Sequence, residues 1–412
     1  FAFNYQKSKN FKQFVGLDNI GLTNGLSQSN QMAMLAGYYG KWNDGSKEFV
    51  SPLADAGFNS FLVEKEGDNF VGAPYGAGAY SLYRINHGGA HRYDVNLSAN
   101  LSDRFYLGLT LGAVSVNQRG FLDYREGLLD NAGAQHISYL QSDEQITGSG
   151  IDVTFGIIAR PIEDNPFRLG FSVSTPTWLN LTGNNILYIN SPFANGGKEF
   201  TEAGVKTGDF DFRITTPWKF NISAGTTFGT RLAIGAEYEF KNLADASVRY
   251  PEGTYYDEWG ASITKTYVDK ALGAEMDTYF KPIHTFKIGA EARLTDGLYA
   301  RAGYNFVSQP MKDAAVKNLY AGHGTNLGDS DGVINTTSTD FINLGATNRF
   351  TLGLGYHGRH FYADVAYQFN KQKGSVYAFH EFDGDKFRSN LLPKQEVDLN
   401  RHNILFTVGY KF

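Results

Sequence analysis

The chain has 412 residues, 37 basic and 42 acidic side chains, a formal net charge of -5 and no cysteine. It carries 47 glycines and 15% aromatic residues, while its charged fraction of 19% lies below the ~25% of ordinary globular domains. These figures exclude a disulfide scaffold and cysteine-based metal centres, and they argue against disorder and against a basic nucleic-acid binder. No stretch approaches the ~18 consecutive apolar residues of a membrane helix. No signal peptide is visible and the chain starts at Phe1 rather than Met, which marks a processed or partial chain.

In chain order, Phe1–Phe14 opens as a strand. Phe1, Phe3 and Tyr5 alternate with polar residues, and Lys7-Ser8-Lys9-Asn10 then breaks the alternation before Phe11. Such a break fits a bulge that bends the strand, and it equally fits a strand ending in a turn. Residues 17–90 form a long polar segment. Within it Met32, Met34, Leu35, Tyr38 and Tyr39 recur at helical spacing, followed by Leu53, Phe58, Phe61, Leu62 and Val63.

Strict alternation begins at Tyr93, Val95, Leu97, Ala99 and Leu101, with Arg92, Asp94, Asn96, Ser98 and Asn100 between them. This is the period of two that gives a strand one apolar and one polar face. After Ser102-Asp103 the rule repeats at Phe105, Leu107, Leu109 and Leu111. It returns at Ile151–Ile157, Phe167–Val173, Phe220–Phe228, Leu232–Phe240, Phe286–Leu294, Leu298–Phe306, Phe350–Tyr356, Phe361–Phe369 and Ile404–Phe412. Short turns are expected near 101, 160, 229, 295 and 357. Long polar segments are expected near 17–90, 120–144, 182–208, 251–280, 308–344 and 374–398.

Short turns on one side and long loops on the other are the layout of a transmembrane antiparallel β-barrel of the outer-membrane type. Lipid leaves no sheet edge satisfied, so the sheet must close. The expectation is therefore all-β: residues 1–412 as one barrel domain of about twelve strands, with long extracellular loops that are partly helical. A soluble all-β protein also alternates, but its turns fall every ~8–12 residues on both sides. Trp178, Trp218, Tyr250 and Tyr299 near strand ends fit interfacial girdles.

Two groups are candidates for ligand contact. The apolar residues of the first long segment, Met32, Met34, Leu35, Tyr38, Phe58, Phe61 and Leu62, could form a capture surface or pack on one another over the barrel mouth. Interior charges come from the polar faces: Arg92, Asp94, Asp152, Glu237, Glu239, Lys287, Glu291, Arg293, Arg301 and Asp364. Lys287, Arg293 and Arg301 could hold a ligand carboxylate, and they could equally belong to lumenal ion pairs. His87/His91 and His357/His360 lack carboxylates at metal-site spacing, and Asp329-Ser-Asp331-Gly332 lacks the closing Glu of a calcium loop. No metal, cofactor or catalytic set is expected.

Several segments resemble the FadL/TodX family of outer-membrane transporters, in its Bacteroidota-type branch. They are Phe1-Ala-Phe-Asn-Tyr with Asn10-Phe11, Tyr106-Leu-Gly-Leu-Thr-Leu-Gly, Gly148–Ile158, Phe167–Thr177, Thr216-Pro217-Trp218, Ala233–Phe240, Phe286–Glu291 and Asn403–Phe412. The resemblance implies passive uptake of hydrophobic or amphipathic small molecules, fatty acid-like or aromatic, across the outer membrane of a Gram-negative bacterium. It implies fourteen strands in the complete protein and an N-terminal hatch bearing an Asn-Pro-Ala signature. That signature does not occur here, and the first strand matches the family's third, so either the hatch and two strands precede Phe1 or the chain is a divergent, smaller barrel. The family's third strand is kinked beside a lateral gap, which points to Tyr5, Ser8, Asn10 and Phe11. The expected partners are outer-membrane lipid, the hydrophobic ligand and proteins docking on the loops, with no nucleic acid. The alternatives are a general porin or a nonenzymatic scaffold subunit of a surface or secretion complex.

Overall fold

In a computed structural model, the described residues are 1–410 apart from 24, 44, 45, 193–200, 381, 384, 385 and 388–393. Phe412, the end of the last alternating run, lies outside them. One antiparallel sheet of seventeen strands dominates. Its strands are β1 (Ala2–Asn10), β2 (Gln13–Gly21), β3 (Ala77–Leu101), β4 (Phe105–Leu129), β5 (Gln135–Ala159), β6 (Arg168–Ser174), β7 (Trp178–Ser191), β8 (Thr201–Thr215) and β9 (Lys219–Phe228). It continues with β10 (Leu232–Asn242), β11 (Ser247–Tyr256), β12 (Ser262–Val268), β13 (Pro282–Thr295), β14 (Leu298–Val307), β15 (Phe341–His357), β16 (Phe361–Tyr377) and β17 (Gln395–Tyr410). Helices α1 (Gln28–Tyr39), α2 (Pro52–Asn59) and α3 (Lys270–Tyr279) lie in the connections. None of the helices is long and apolar enough to cross a membrane.

The ladders run in sequence order around most of the wall, and strands are skipped where β6 pairs β9, β8 pairs β11 and β10 pairs β13. Both β1 and β2 pair with β3, which pairs with β4 and then β5. From β13 the order is β14, β15, β16, β17. The wall curls back on itself. Arg401 of β17 donates to the Lys12 carbonyl between β1 and β2. Lys9 of β1 has Glu239 of β10 and Arg349 of β15 as electrostatic neighbours across the interior. The fold is a transmembrane antiparallel β-barrel.

Alternation decides which face meets lipid. Leu97, Leu109, Phe155, Ile222, Ile288, Leu352, Val365 and Phe406 are all exposed, large and apolar, whereas Asp94 and Asp152 on the opposite face are buried. The height of the lipid band is set by a repeated cross-strand pair. The Tyr5, Tyr238 and Tyr367 hydroxyls each bond Nδ1 of His91, His284 and His402 at 2.7 Å, and Tyr304 donates to Asn348 at 2.6 Å. Each tyrosine thus sits at the apolar edge with its hydroxyl turned to a polar group, the arrangement of an interfacial girdle. From Asn348 to His357 the β15 backbone matches the ~9–11 residues that a tilted strand needs to cross a bilayer.

The short turns fall where expected, with Ser102 and Asp103 both at positive φ (57° and 54°) in the first hairpin. The long connections differ. β2 runs to Gly21 and β3 starts at Ala77, so the segment expected at 17–90 is narrower on both sides. The segment expected as a loop at 120–144 is mostly strand, because β4 and β5 pair up to Leu129 and Gln135. Likewise 251–280 holds β11, β12 and α3. The reason is physical: above the lipid band an outward face needs no apolar residue, so a ladder continues without the alternation that betrays it. Strands also break at corners the sequence marks. Thr175-Pro176-Thr177 separates β6 from β7 and Thr216-Pro217-Trp218 separates β8 from β9, since proline cannot donate to a ladder. The two corners are joined by Thr216 N–H to the Thr177 carbonyl at 3.1 Å and Thr177 N–H to Thr216 Oγ1 at 2.8 Å.

Candidate functional site: a capped lumen beside a kinked strand

The extensions of β3, β4 and β5 above the girdle form, with α1 and α2, a folded cap. Its core contains Leu26, Met32, Leu35, Leu53, Leu82, Leu122, Tyr124, Leu128, Leu140 and Phe379. The Ser27 side chain caps α1 by accepting from the Ser29 N–H. It also donates to buried Glu126 at 2.8 Å, which fixes the helix to β4. Met32, Leu35 and Leu62 are buried in this core, so these members of the expected capture group serve packing. Met34 and Phe61 are half-buried. Phe58 stacks with Phe49 and Phe70. Tyr38 is exposed, with Tyr320 and His323 against its ring.

The irregular segment 308–340 plugs the cap from within. Leu319 is fully buried there. Arg84 of β3 ties the segment down, holding Glu144 of β5 on one side and Asp340 at 3.1 Å on the other. Lys317 donates to the Ser338 carbonyl at 2.5 Å and hydroxyl at 3.0 Å. Burial pushes the Lys317 ammonium down. Burial pushes the Glu144 carboxyl up, but Arg84 and Lys317 outweigh it and hold that carboxyl below its usual range. His380, packed against Phe341 and Tyr377, is pushed down to about 3 by burial, with Lys317 adding to the effect.

Below the girdle, the interior charges are paired. Arg92 meets Asp94 at 2.7 Å and Asp152 at 2.6 Å. Lys287 meets Glu237 at 2.5 Å, and Arg301 meets both Glu291 and Asp364 at 2.5 Å. Arg293 reaches Asp296 at 2.8 Å in the β13–β14 turn. The three expected carboxylate binders are therefore all engaged with the protein's own carboxylates.

The wall is irregular at β1–β2. The ladder register slips between Lys7 and Lys9, and Ser8 Oγ donates to the Ala90 carbonyl at 3.1 Å inside the slip. The strand then breaks between Asn10 and Gln13. Opposite, Gly88 adopts φ +97°, and a Cβ there would lie 2.1 Å from the Asn117 carbonyl oxygen, so the bulge requires glycine. Of the two sequence readings, the kinked strand is the one observed. Tyr5 belongs to the girdle, while Asn10 and Phe11 line a cavity of about 910 Å³.

Consecutive residues of β17, from Asp398 to Asn403, line that same cavity. Successive strand residues point to opposite faces, so the cavity borders the free edge of β17 rather than one of its faces. Among the described residues no ladder joins β17 to β1 or β2. A second cavity of about 700 Å³ lies in the lumen below, and Arg349 lines both. Arg349 and Arg401 escaped the sequence-based selection. Their inward direction is legible from Phe350 and Ile404, but that they meet no acidic partner among the described residues is not.

A barrel wall of girdled strands around a capped, charge-lined lumen defines the class. No family model matches the chain, and no curated protein matches it. Among solved structures it is similar to a Pseudomonas aeruginosa FadL homologue, at 14% identity over 99% of this chain and 88% of that one, with a TM-score of 0.49. It is similar to the Pseudomonas putida toluene transporter TodX, at 13% identity over 86% and 75% with a TM-score of 0.42. It is also similar to the Ralstonia pickettii toluene transporter TbuX, at 14% identity over 84% and 79% with a TM-score of 0.34.

Proposed function

We propose that the protein is a passive channel in the outer membrane of a Gram-negative bacterium. In this reading it admits hydrophobic or amphipathic small molecules, fatty acid-like or aromatic. The observation that carries this reading is the kinked wall at β1–β2, where the register slips at Lys7–Lys9 and the broken strand borders a cavity of about 910 Å³. A solute leaving sideways avoids crossing the polar headgroup layer a second time. Phe11, Phe14, Ile85, Leu344 and Leu399 give that cavity apolar patches among polar side chains such as Gln13, Asn86 and Gln372.

The folded cap fits this use better than a general porin, because segment 308–340 occupies the mouth. Tyr38 and the half-buried Met34, Phe58 and Phe61 supply apolar surface on the cap from which a ligand could enter. The resemblance of the strand motifs to the FadL/TodX family points the same way. The test is entry of dodecanoate and of toluene into liposomes holding the purified protein. Both should enter faster than into protein-free liposomes. Unaccelerated entry with high ion conductance would replace this reading by a porin, and unaccelerated entry with co-eluting proteins would replace it by a scaffold.

A further inference from the structure

The lumen changes character at the level of the girdle. Below it, Arg92, Lys287 and Arg301 each have one or two carboxylates within 2.7 Å. At the girdle, Lys9, Lys219, Lys241, Arg349 and Arg401 share the interior with Glu239. Lys9 has Arg349, Glu239 and Lys219 as electrostatic neighbours, Lys241 has Lys9, Glu239 and Lys219, and Arg349 has Arg401. Among the described residues none of these cations has a carboxylate within ion-pair distance. Five positive charges thus outnumber the carboxylates near them, which are Glu239, Glu237 beside Lys219, and Asp398 in the cavity at the β1–β2 break, in a space bounded by lipid where screening is weaker than in bulk water.

Register gives the arrangement its geometry. Lys287 pairs with Asn305, Asn305 with Arg349, Arg349 with Asn370 and Asn370 with Arg401, in one row across β13 to β17. The row alternates a cation with asparagine. The Asn305 and Asn370 side-chain oxygens are both buried and lack a hydrogen-bond partner. Arg349, between the two amides, lines both the lumenal cavity and the cavity at the β1–β2 break.

We infer that the Arg349–Asn370–Arg401 row, facing Lys9, is a binding site for the multiply charged anionic headgroup of an amphiphile, with a phosphate monoester the simplest fit. A guanidinium offers paired donors to phosphate oxygens, and the amides add donors beside them. A monocarboxylate offsets one charge of the surplus; a phosphate monoester carries close to two. The apolar part of the ligand lies along Phe11, Phe14 and Leu399 in the wall cavity. This inference rests on the channel reading and narrows its substrates from hydrophobic or amphipathic molecules in general to anionic amphiphiles.

The test measures binding of dodecyl phosphate, dodecanoate and inorganic phosphate to the whole chain in a non-ionic detergent at pH 8. Dodecyl phosphate should bind at least tenfold tighter than dodecanoate, and inorganic phosphate more weakly than either. Arg349→Gln with Arg401→Gln should remove the tenfold preference. Arg349→Lys with Arg401→Lys, which keeps the charge and guards against misfolding, should keep part of it. Arg119→Gln, which removes an exposed cation of the cap, should change nothing. Equal affinity for dodecanoate, equal affinity for inorganic phosphate, or a preference surviving in the double Gln variant would each overturn the inference. If dodecanoate and toluene still entered liposomes in those cases, the channel reading would stand. If entry failed while dodecyl phosphate kept its preference, only the channel reading would fall.

Discussion

Arg84 Nη1 lies 3.1 Å from Asp340 Oδ1, and the two residues are 256 positions apart in the chain. Arg84 also holds Glu144, so one guanidinium joins two extended strands of the cap to the segment that plugs it. The three side chains are largely buried. Removing one partner of such a group leaves charges without compensation, which costs more than the intact group contributes. Arg84→Gln should therefore destabilise the cap by about 3 kcal/mol. Limited proteolysis should then cut segment 308–340 while the barrel stays folded on heat-modifiability gels. Unchanged protease resistance would show that the plug is held by packing alone.

The cap should loosen in mild acid. The His380 imidazole titrates at about 3 in the folded protein and near ~6.5 when unfolded. Above the unfolded value neither state binds the proton. Below it the unfolded state gains a proton that the folded state refuses, so stability falls as pH falls, by up to ~1.4 kcal/mol per unit. Glu144 acts in the same direction at lower pH: its depressed carboxyl stabilises the fold above the usual carboxylate range, and that stabilisation is lost as pH falls through the folded value. Cap melting measured between pH 7 and 5 should shift downward in the wild type. His380→Phe, which suits the Phe341 and Tyr377 surroundings, should flatten the shift; an unaltered slope would assign it to other groups.

Two residues of the expected capture group separate packing from capture. Met32 is fully buried while Tyr38 is exposed. Met32→Ala should cost about 2–5 kcal/mol of cap stability. Tyr38→Ala should cost little in thermal stability. A slower entry of toluene in the Tyr38 variant alone would place capture on the outer surface of the cap, and equal entry rates in Tyr38→Ala and wild type would remove Tyr38 from the route.

Gly88 tests the kink. A side chain there would meet the Asn117 carbonyl and would hold a conformation at φ +97° that costs roughly 1–3 kcal/mol. Gly88→Ala should therefore shift the bulge or destabilise the wall beside it. The expected readout is slower ligand entry into liposomes with a barrel that still folds on heat-modifiability gels. Entry at the wild-type rate would mean that the bend does not shape the passage.

Much of the barrel was legible from residue order because lipid imposes a rule on every second residue. Phe350, Leu352, Leu354 and Tyr356 could face only outward, and the intervening residues only inward. The kink at Lys7–Asn10 and the corners at Pro176 and Pro217 were legible for a similar reason, since each interrupts a strict alternation. The strands above the girdle were not, because in water either face of β4 and β5 tolerates polar residues. The helical spacing of Met32 and Leu35 likewise fitted capture and core equally well.

What the sequence by itself determined is the period of the wall and which side of each strand is wet. What only the tertiary structure decided is which charges meet. Lys287 and Arg349 look alike in the sequence, each a cation beside an outward phenylalanine. Cross-strand register places Glu237 against Lys287 and asparagines on both sides of Arg349. An interior charge is neutralised by its neighbours in space, and those neighbours come from strands far apart in the chain.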